Sequence, residues 1–272
     1  MLSEKIELLG KGLYKDIPGE LTLTSIPTIS ELDYVGSEDF EATMLDKILP
    51  EAVQEKDINF RNLLEIDFAW LCRCLRILNY GPYHTTNAIF CNNCKKTHYG
   101  EYQVDLRAIE CKTLPEGFTN ELKIPKESFL DFNGDIVVKL LTIQETINAY
   151  KDTAFAGPDG EVNKELARIC YMISSIKGNS KLTPVEVKMM IQNELSAADF
   201  IVLKDNVSTL TDYGLRAGGS TPCPKCGNKE AAFIALVDDR FFRPSVGNLR
   251  TWKNDRSTRE DENTAGSETA TV

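Results

Sequence analysis

The sequence predicts an α+β chain: a helical core, a ribbon-like β module interrupted by a helical insertion, and a disordered C-terminal tail. Three observations predict it. Residues 60–79 repeat apolar side chains at helical spacing almost all round. Two Cys-x-x-Cys pairs, Cys91/Cys94 and Cys223/Cys226, each stand beside a β-rich stretch, with helix signals filling the interval between them. From Gly247 the chain turns polar and ends RSTREDENTAGSETATV, which cannot bury enough apolar surface to order itself. The expected organisation is an N-terminal arm with short strands and a helix (residues 1–50), a mixed helical domain with the split ribbon at 91–106 and 221–237 (residues 51–246), and the tail (residues 247–272).

In the arm, Gly10, Gly12, Pro18, Gly19 and Pro27 punctuate short apolar pieces, which reads as an extended segment or edge strands with turns. Ser37 is expected to cap a helix from Glu38 to Leu49, which Pro50 ends or bends. The strongest helix runs from Phe60 to Asn79. Leu63, Ile66, Trp70, Cys74, Ile77 and Leu78 mark one face, and Leu64, Phe68, Leu71 and Leu75 widen it, so the helix belongs at a buried centre. Gly81 and Pro82 stop it. Thr85–Phe90 and His98–Leu106 form a hairpin around the first cysteine pair, turning at Lys95-Lys96. A second strand pair, Glu121–Ile124 with Ile136–Leu141, is expected to join through Asn133-Gly134.

The middle of the chain reads as helices. Thr142–Lys151 and Lys164–Lys177 are two candidates, separated by the Gly157–Gly160 loop. Thr183, Pro184 and Glu186 make a capping box with proline at the first helical position, opening a third helix expected to reach Leu203. Gly214–Cys226 returns to loop, and Ala231–Val237 is an apolar strand.

Bulk properties limit the function. With 272 residues, 42% hydrophobic and 26% charged, the chain can bury a real core. Its net charge of −10 argues against broad nucleic-acid binding and against docking on an acidic membrane surface, while leaving room for a small basic patch. The longest apolar run, Phe68–Leu78, is interrupted by Arg73 and Arg76 and is too short to span a bilayer. The start, MLSEKIELLGKG, has no continuous apolar region, so no signal peptide is expected and the chain should stay in a cytoplasm.

The chemistry lies in the cysteines. Cys91-x-x-Cys94 and Cys223-x-x-Cys226 supply four thiolates, the set a structural zinc ion takes in a tetrahedron, and Gly227 permits a close turn after the last ligand. The long interval requires the chain to return to the same ion after the helical insertion. A thioredoxin-like redox pair is disfavoured because two pairs are present and neither opens a βαβ helix. An iron–sulfur cluster or disulfides remain open. Cys72, Cys74, Cys111 and Cys170 read as core residues. His84 and His98 flank the first pair; either could replace a cysteine ligand, though His98 reads first as a strand surface residue. There is no P-loop and no G-x-S-x-G, so no enzyme is expected. Lys95-Lys96 with Tyr99 and Tyr102 reads first as a solvated turn beside strand aromatics, and second as a small nucleic-acid patch.

The order of motifs carries a resemblance. Gly12-Leu13-Tyr14 is followed by Phe60-Arg61-Asn62-Leu63, which leads through Asp67 into the apolar helix. Leu75-Arg76-Ile77-Leu78-Asn79-Tyr80-Gly81 closes that helix and Tyr83 follows. The first cysteine hairpin ends in Val104-Asp105-Leu106, and Cys223-Pro224-Lys225-Cys226-Gly227 comes late. This resembles the baseplate hub assembly proteins of contractile-tailed, T4-like bacteriophages over residues 10–240; the tail after Arg250 has no part in the pattern. The resemblance implies a non-enzymatic role in assembling the central hub, as a chaperone or minor component, with other tail or baseplate hub proteins as partners. It implies the infected host cytoplasm, or the virion baseplate, as the setting. An extended arm can add to a partner's sheet edge, which makes Gly12, Leu13 and Tyr14 the candidate partner contact. The alternative is a zinc-ribbon nucleic-acid-binding accessory protein.

Overall fold

The computed structural model describes residues 2–26, 39–215 and 218–233, with backbone alone at 218–220 and 230–233. The Ser37 cap, residues 234–237 of the last expected strand, and the tail at 247–272 lie outside the described residues. The chain is α+β. No described helix is long and apolar enough to cross a membrane.

The arm forms an antiparallel pair, β1 (Ser3–Glu7) with β2 (Glu20–Thr24). Its apolar residues alternate inward, so Ile6, Leu21 and Leu23 are buried. Asp39 caps the next segment by accepting from the Ala42 N–H. The segment then runs through α1 (Phe40–Thr43), a π-helical turn (Met44–Ile48) and α2 (Leu49–Ala52). Pro50 therefore neither ends the helix nor sits in its interior. The wide turn, closed by Leu49 N–H to Met44 O, places Pro50 in the first turn of α2, where its missing N–H removes no helical bond. The division expected at residue 50 falls inside this run.

The long helix, α3, spans Glu65–Tyr80 and so starts later than its apolar pattern suggests. Phe60–Asn62 is a separate turn, and Leu63 and Leu64 are extended. Tertiary pairing decides this: Glu65 N–H donates to Leu141 O (3.1 Å) and Ile143 N–H to Leu63 O (2.8 Å). The all-round apolar pattern has a structural cause. Phe68, Leu71, Cys72 and Leu75 pack into one core with the arm, the 44–53 segment and the Ile89/Val104 hairpin. Leu64 and Ile66 reach a second core built from the later strands and helices. Gly214 (φ +91°) lies against Ile66 so closely that an added Cβ would stand 2.9 Å from the Ile66 side chain.

The second core sits on a three-stranded antiparallel sheet, β6 (Leu122–Ile124), β7 (Ile136–Val138) and β8 (Ile173–Ile176), with β7 central. The first two strands pair as expected. Residues 125–135 join them, however, with a helical turn at Lys126–Ser128 and no tight turn at Asn133-Gly134. Residues 173–176 were expected to be helical. The helix α5 (Lys164–Met172) stops short and β-branched Ile173 and Ile176 take buried strand positions instead. Before it, the expected helix at Thr142–Lys151 is α4 (Ile143–Lys151), opened by a Thr142/Glu145 capping box. The Thr183/Glu186 box opens α6 (Pro184–Glu194) as expected. That helix does not reach Leu203: Leu195 and Ser196 are extended, and Ser196 caps a new helix, α7 (Ala197–Thr211). The segment expected as loop after residue 214 contains strands: β9 (Gly214–Leu215) pairs with β5 (Cys111–Lys112).

Asp199 locks the second core. Its buried carboxylate accepts from the N–H groups of Leu130 (2.6 Å), Phe132 (3.0 Å) and Asp131 (3.2 Å), and from the Ser196 hydroxyl (3.0 Å). Burial alone would push this carboxyl up, but the donors outweigh it and hold it below the usual range. The ionised form is thus favoured in the fold. Its stabilisation is present above the unfolded carboxyl value of about 3.9 and is lost as pH falls through the lower folded value. Asp199→Asn is expected to lower the melting temperature at neutral pH, with the difference from the parent shrinking below about pH 4. A constant difference from neutral pH down to pH 2 by calorimetry would contradict this reading.

Candidate metal centre

The site is built up from α3. Arg73 and Arg76, which break the apolar run in the sequence, are both buried and both face the base of a β-hairpin. Arg76 donates to Gly81 O (2.7 Å) and Tyr83 O (2.9 Å), and Arg73 Nε donates to Leu106 O (2.8 Å). Gly81 (φ +79°, ψ 174°) makes the sharp exit from the helix, a backbone conformation that only glycine takes without strain. Leu106 N–H then donates to Pro82 O (2.7 Å) and closes the hairpin base. The hairpin itself is β3 (Tyr83–Cys91) with β4 (Lys96–Asp105), and its inward residues Ile89 and Val104 are buried in the first core.

Cys91 is the last residue of β3 and Cys94 stands in the turn, where Lys95 takes φ +53°. The Cys94 N–H donates to Cys91 Sγ (3.2 Å). The second pair occupies the turn of another hairpin, β10 (Gly218–Pro222) with β11 (Lys229–Phe233), whose β11 lies against β3. Here Cys223 N–H donates to Asn228 O (2.7 Å) and Gly227 N–H to Cys223 O (2.9 Å), with Gly227 at φ +73°. The glycine after the last cysteine serves the close turn that the sequence suggested.

The two turns meet. Cys91 Sγ lies 3.6 Å from Cys226 Sγ, Cys94 Sγ lies 3.9 Å from Cys223 Sγ, and all four sulfurs fall within 4.8 Å of one another. This is the only such group of His, Cys, Asp or Glu ligand atoms among the described residues, and it could hold a metal ion. A disulfide needs sulfurs about 2.05 Å apart, and all eight cysteines are free thiols. Burial pushes the Cys91 thiol up to about 12. Cys226, at the exposed side, is lowered to about 6, first by the Asn228 N–H and then by the Asn93 side chain. The set is therefore a closed group of sulfurs, deepest at Cys91 and Cys223 and open to solvent at Cys226.

His98 is not the surface residue expected. It pairs with Ile89, so it shares the inner face of the hairpin, and its Nε2 lies 3.5 Å from Cys223 Sγ. It stands beside the four sulfurs, whereas His84 pairs with Val104 near the other end. Cys72, Cys74 and Cys170 are buried as expected, and burial pushes the last two up to about 12; Cys111 is only half-buried, on β5.

Two of the arm residues expected to meet a partner also have contacts within the fold. The Tyr14 hydroxyl donates to Asp67 Oδ2 (2.5 Å) and accepts from the Leu64 N–H (3.0 Å). Leu13 packs against the second core. The cause is Asp67, a fully buried carboxylate on α3 that needs donors and also takes the N–H groups of Leu9 (2.6 Å) and Gly10 (3.0 Å). Tyr14 and Leu13 are half-buried, and Gly12 is the one exposed member of the three. The signal available in the sequence was Asp67 itself, an acid inside an otherwise apolar helix.

No family model, no curated protein and no solved structure matches this chain.

Proposed function

We propose that this chain is a non-enzymatic protein of a contractile phage tail that acts in assembly of the baseplate central hub, as a chaperone or minor component. The order of sequence motifs supports the hub reading, and the four-cysteine centre supports the non-enzymatic one. We infer that the ion is zinc and that the paired hairpins are a zinc ribbon split by the helical insertion. A tetrahedron with zinc–sulfur bonds of about 2.3 Å has edges of about 3.8 Å, close to the 3.6 and 3.9 Å separations. Four thiolates fill such an ion and leave no position for water, so it holds structure and activates nothing. Cys91, Cys94, Cys223 and Cys226 are the ligands, other tail or hub proteins are the partners, and the host cytoplasm or the virion baseplate is the setting. Elemental analysis should find about one zinc per chain. Disrupting the gene should leave tails without complete baseplates under electron microscopy; normal baseplates would sink the assembly role.

A further inference from the structure

The chain holds 41 acidic residues against 31 basic ones, yet no Asp or Glu occurs in residues 83–100 or 213–229. These are the two stretches that meet at the cysteine cluster. Lys95 and Lys96 follow the first cysteine pair, Lys225 lies inside the second, and Lys229 opens β11; all four are exposed. None of them pairs with a carboxylate among the described residues, whereas Lys112, Lys123, Lys139 and Lys204 all do. Acidic residues re-enter the sequence only at Glu101 and Glu230. Among the described residues, positive charge without a carboxylate partner is thus concentrated at one tip, in a chain whose net charge is −10.

The same tip carries bare aromatic rings. Phe90 pairs with Thr97 and Ala88 with Tyr99, which puts Phe90 and Tyr99 diagonally on the hairpin face opposite Ile89 and Cys91. Phe90 is 48% exposed and Tyr99 84%. Lysines alone would suit any polyanion. Lysines at the same tip as exposed rings, with Lys96 on the Cys91 face and the rings on the other, suit one that can wrap the tip and also presents flat unpaired rings to stack, which is single-stranded nucleic acid. A duplex hides its base faces, and an acidic polypeptide has none.

We propose that the tip of the paired hairpins binds single-stranded nucleic acid, with Lys95, Lys96, Lys225 and Lys229 on phosphates and Tyr99 and Phe90 stacked on bases. The proposal is independent of the hub-assembly role. It gives the metal a second consequence: the ion joins lysines from opposite ends of the insertion into one patch. Sequence selectivity is not expected, because stacking accepts every base.

The test is fluorescence anisotropy of the full chain, purified with its metal, against labelled oligothymidylate, a duplex of equal length and a polyglutamate peptide over a range of salt. Four phosphate contacts predict a slope of about −3 in log affinity against log salt for the single strand. Lys95→Gln combined with Lys225→Gln should reduce that slope to about −1.4; Lys96→Gln with Lys229→Gln repeats the test should the first pair lose metal. Tyr99→Ala should weaken binding about tenfold with the slope unchanged. The proposal is overturned by absence of single-strand binding at low salt, by equal affinity for duplex or polyglutamate, or by lysine variants that bind like the parent.

Discussion

Cys91→Ser and Cys223→Ser are each expected to abolish zinc binding and to unfold the paired hairpins. The two residues lie on opposite sides of the insertion, so under the proposed zinc assignment each variant removes one ligand of the same ion. Structural zinc in small fingers is worth about 10–16 kcal/mol of apparent binding energy. Most of that should be lost with one ligand, because three thiolates leave the ion open to exchange. Away from the arginine-anchored base of the first hairpin, both hairpins are two-stranded, and such pairs are marginal alone, so their cysteine-bearing ends depend on the ion. The double variant should cost no more than either single variant, since the first loss already releases the ion. Chelator should lower the parent's melting temperature and leave the variants unchanged. Retention of a full zinc equivalent by either variant, measured by elemental analysis, would show that the two pairs do not share an ion.

Arg76→Met is expected to destabilise the protein by roughly 3 kcal/mol, a drop of about 10 °C in melting temperature. Arg76 is fully buried and its guanidinium serves two carbonyls, Gly81 O and Tyr83 O, at the point where α3 hands over to β3. Methionine fills much of the volume but leaves both acceptors without that donor. Arg76→Lys should recover less than half of the loss, because one ammonium cannot reproduce a planar fork reaching two oxygens. A melting temperature within 2 °C of the parent for Arg76→Met would mean that these bonds do not hold the hairpin base.

Much of this was legible before folding. The capping boxes at Thr142 and Thr183 are local, because the residues that satisfy each other lie three apart. The cysteine pairs are also local in their geometry. A turn of the Cys-x-x-Cys type, followed by Lys95 in the first pair and Gly227 in the second, both at positive φ, sets its two sulfurs locally, and the structure brings both pairs to one place.

The errors share a cause. Residues 173–176 continue a helical apolar pattern, and only pairing with β7 makes them a strand. Residues 60–64 look like the start of the long helix, and bonds to residues 141 and 143 hold Leu63 and Leu64 extended between a short turn and α3. Arg73 and Arg76 interrupt the apolar run as read, and only the fold shows that they fasten the cysteine hairpin to the central helix. In each case the deciding group lies far away in sequence and close in space, and a local pattern carries no record of it.

By itself, then, the sequence determined the α+β class, the buried central helix, the helix starts at Thr142 and Thr183 and the four converging cysteines. These follow from spacing, capping and ligand chemistry, which act within a few residues. Tertiary structure alone decided that α3 serves two cores, that His98 faces the sulfurs, and that four lysines with no carboxylate partner among the described residues stand at the same tip as two exposed rings. Those outcomes depend on which distant surfaces meet, and that is set by burial over the whole chain.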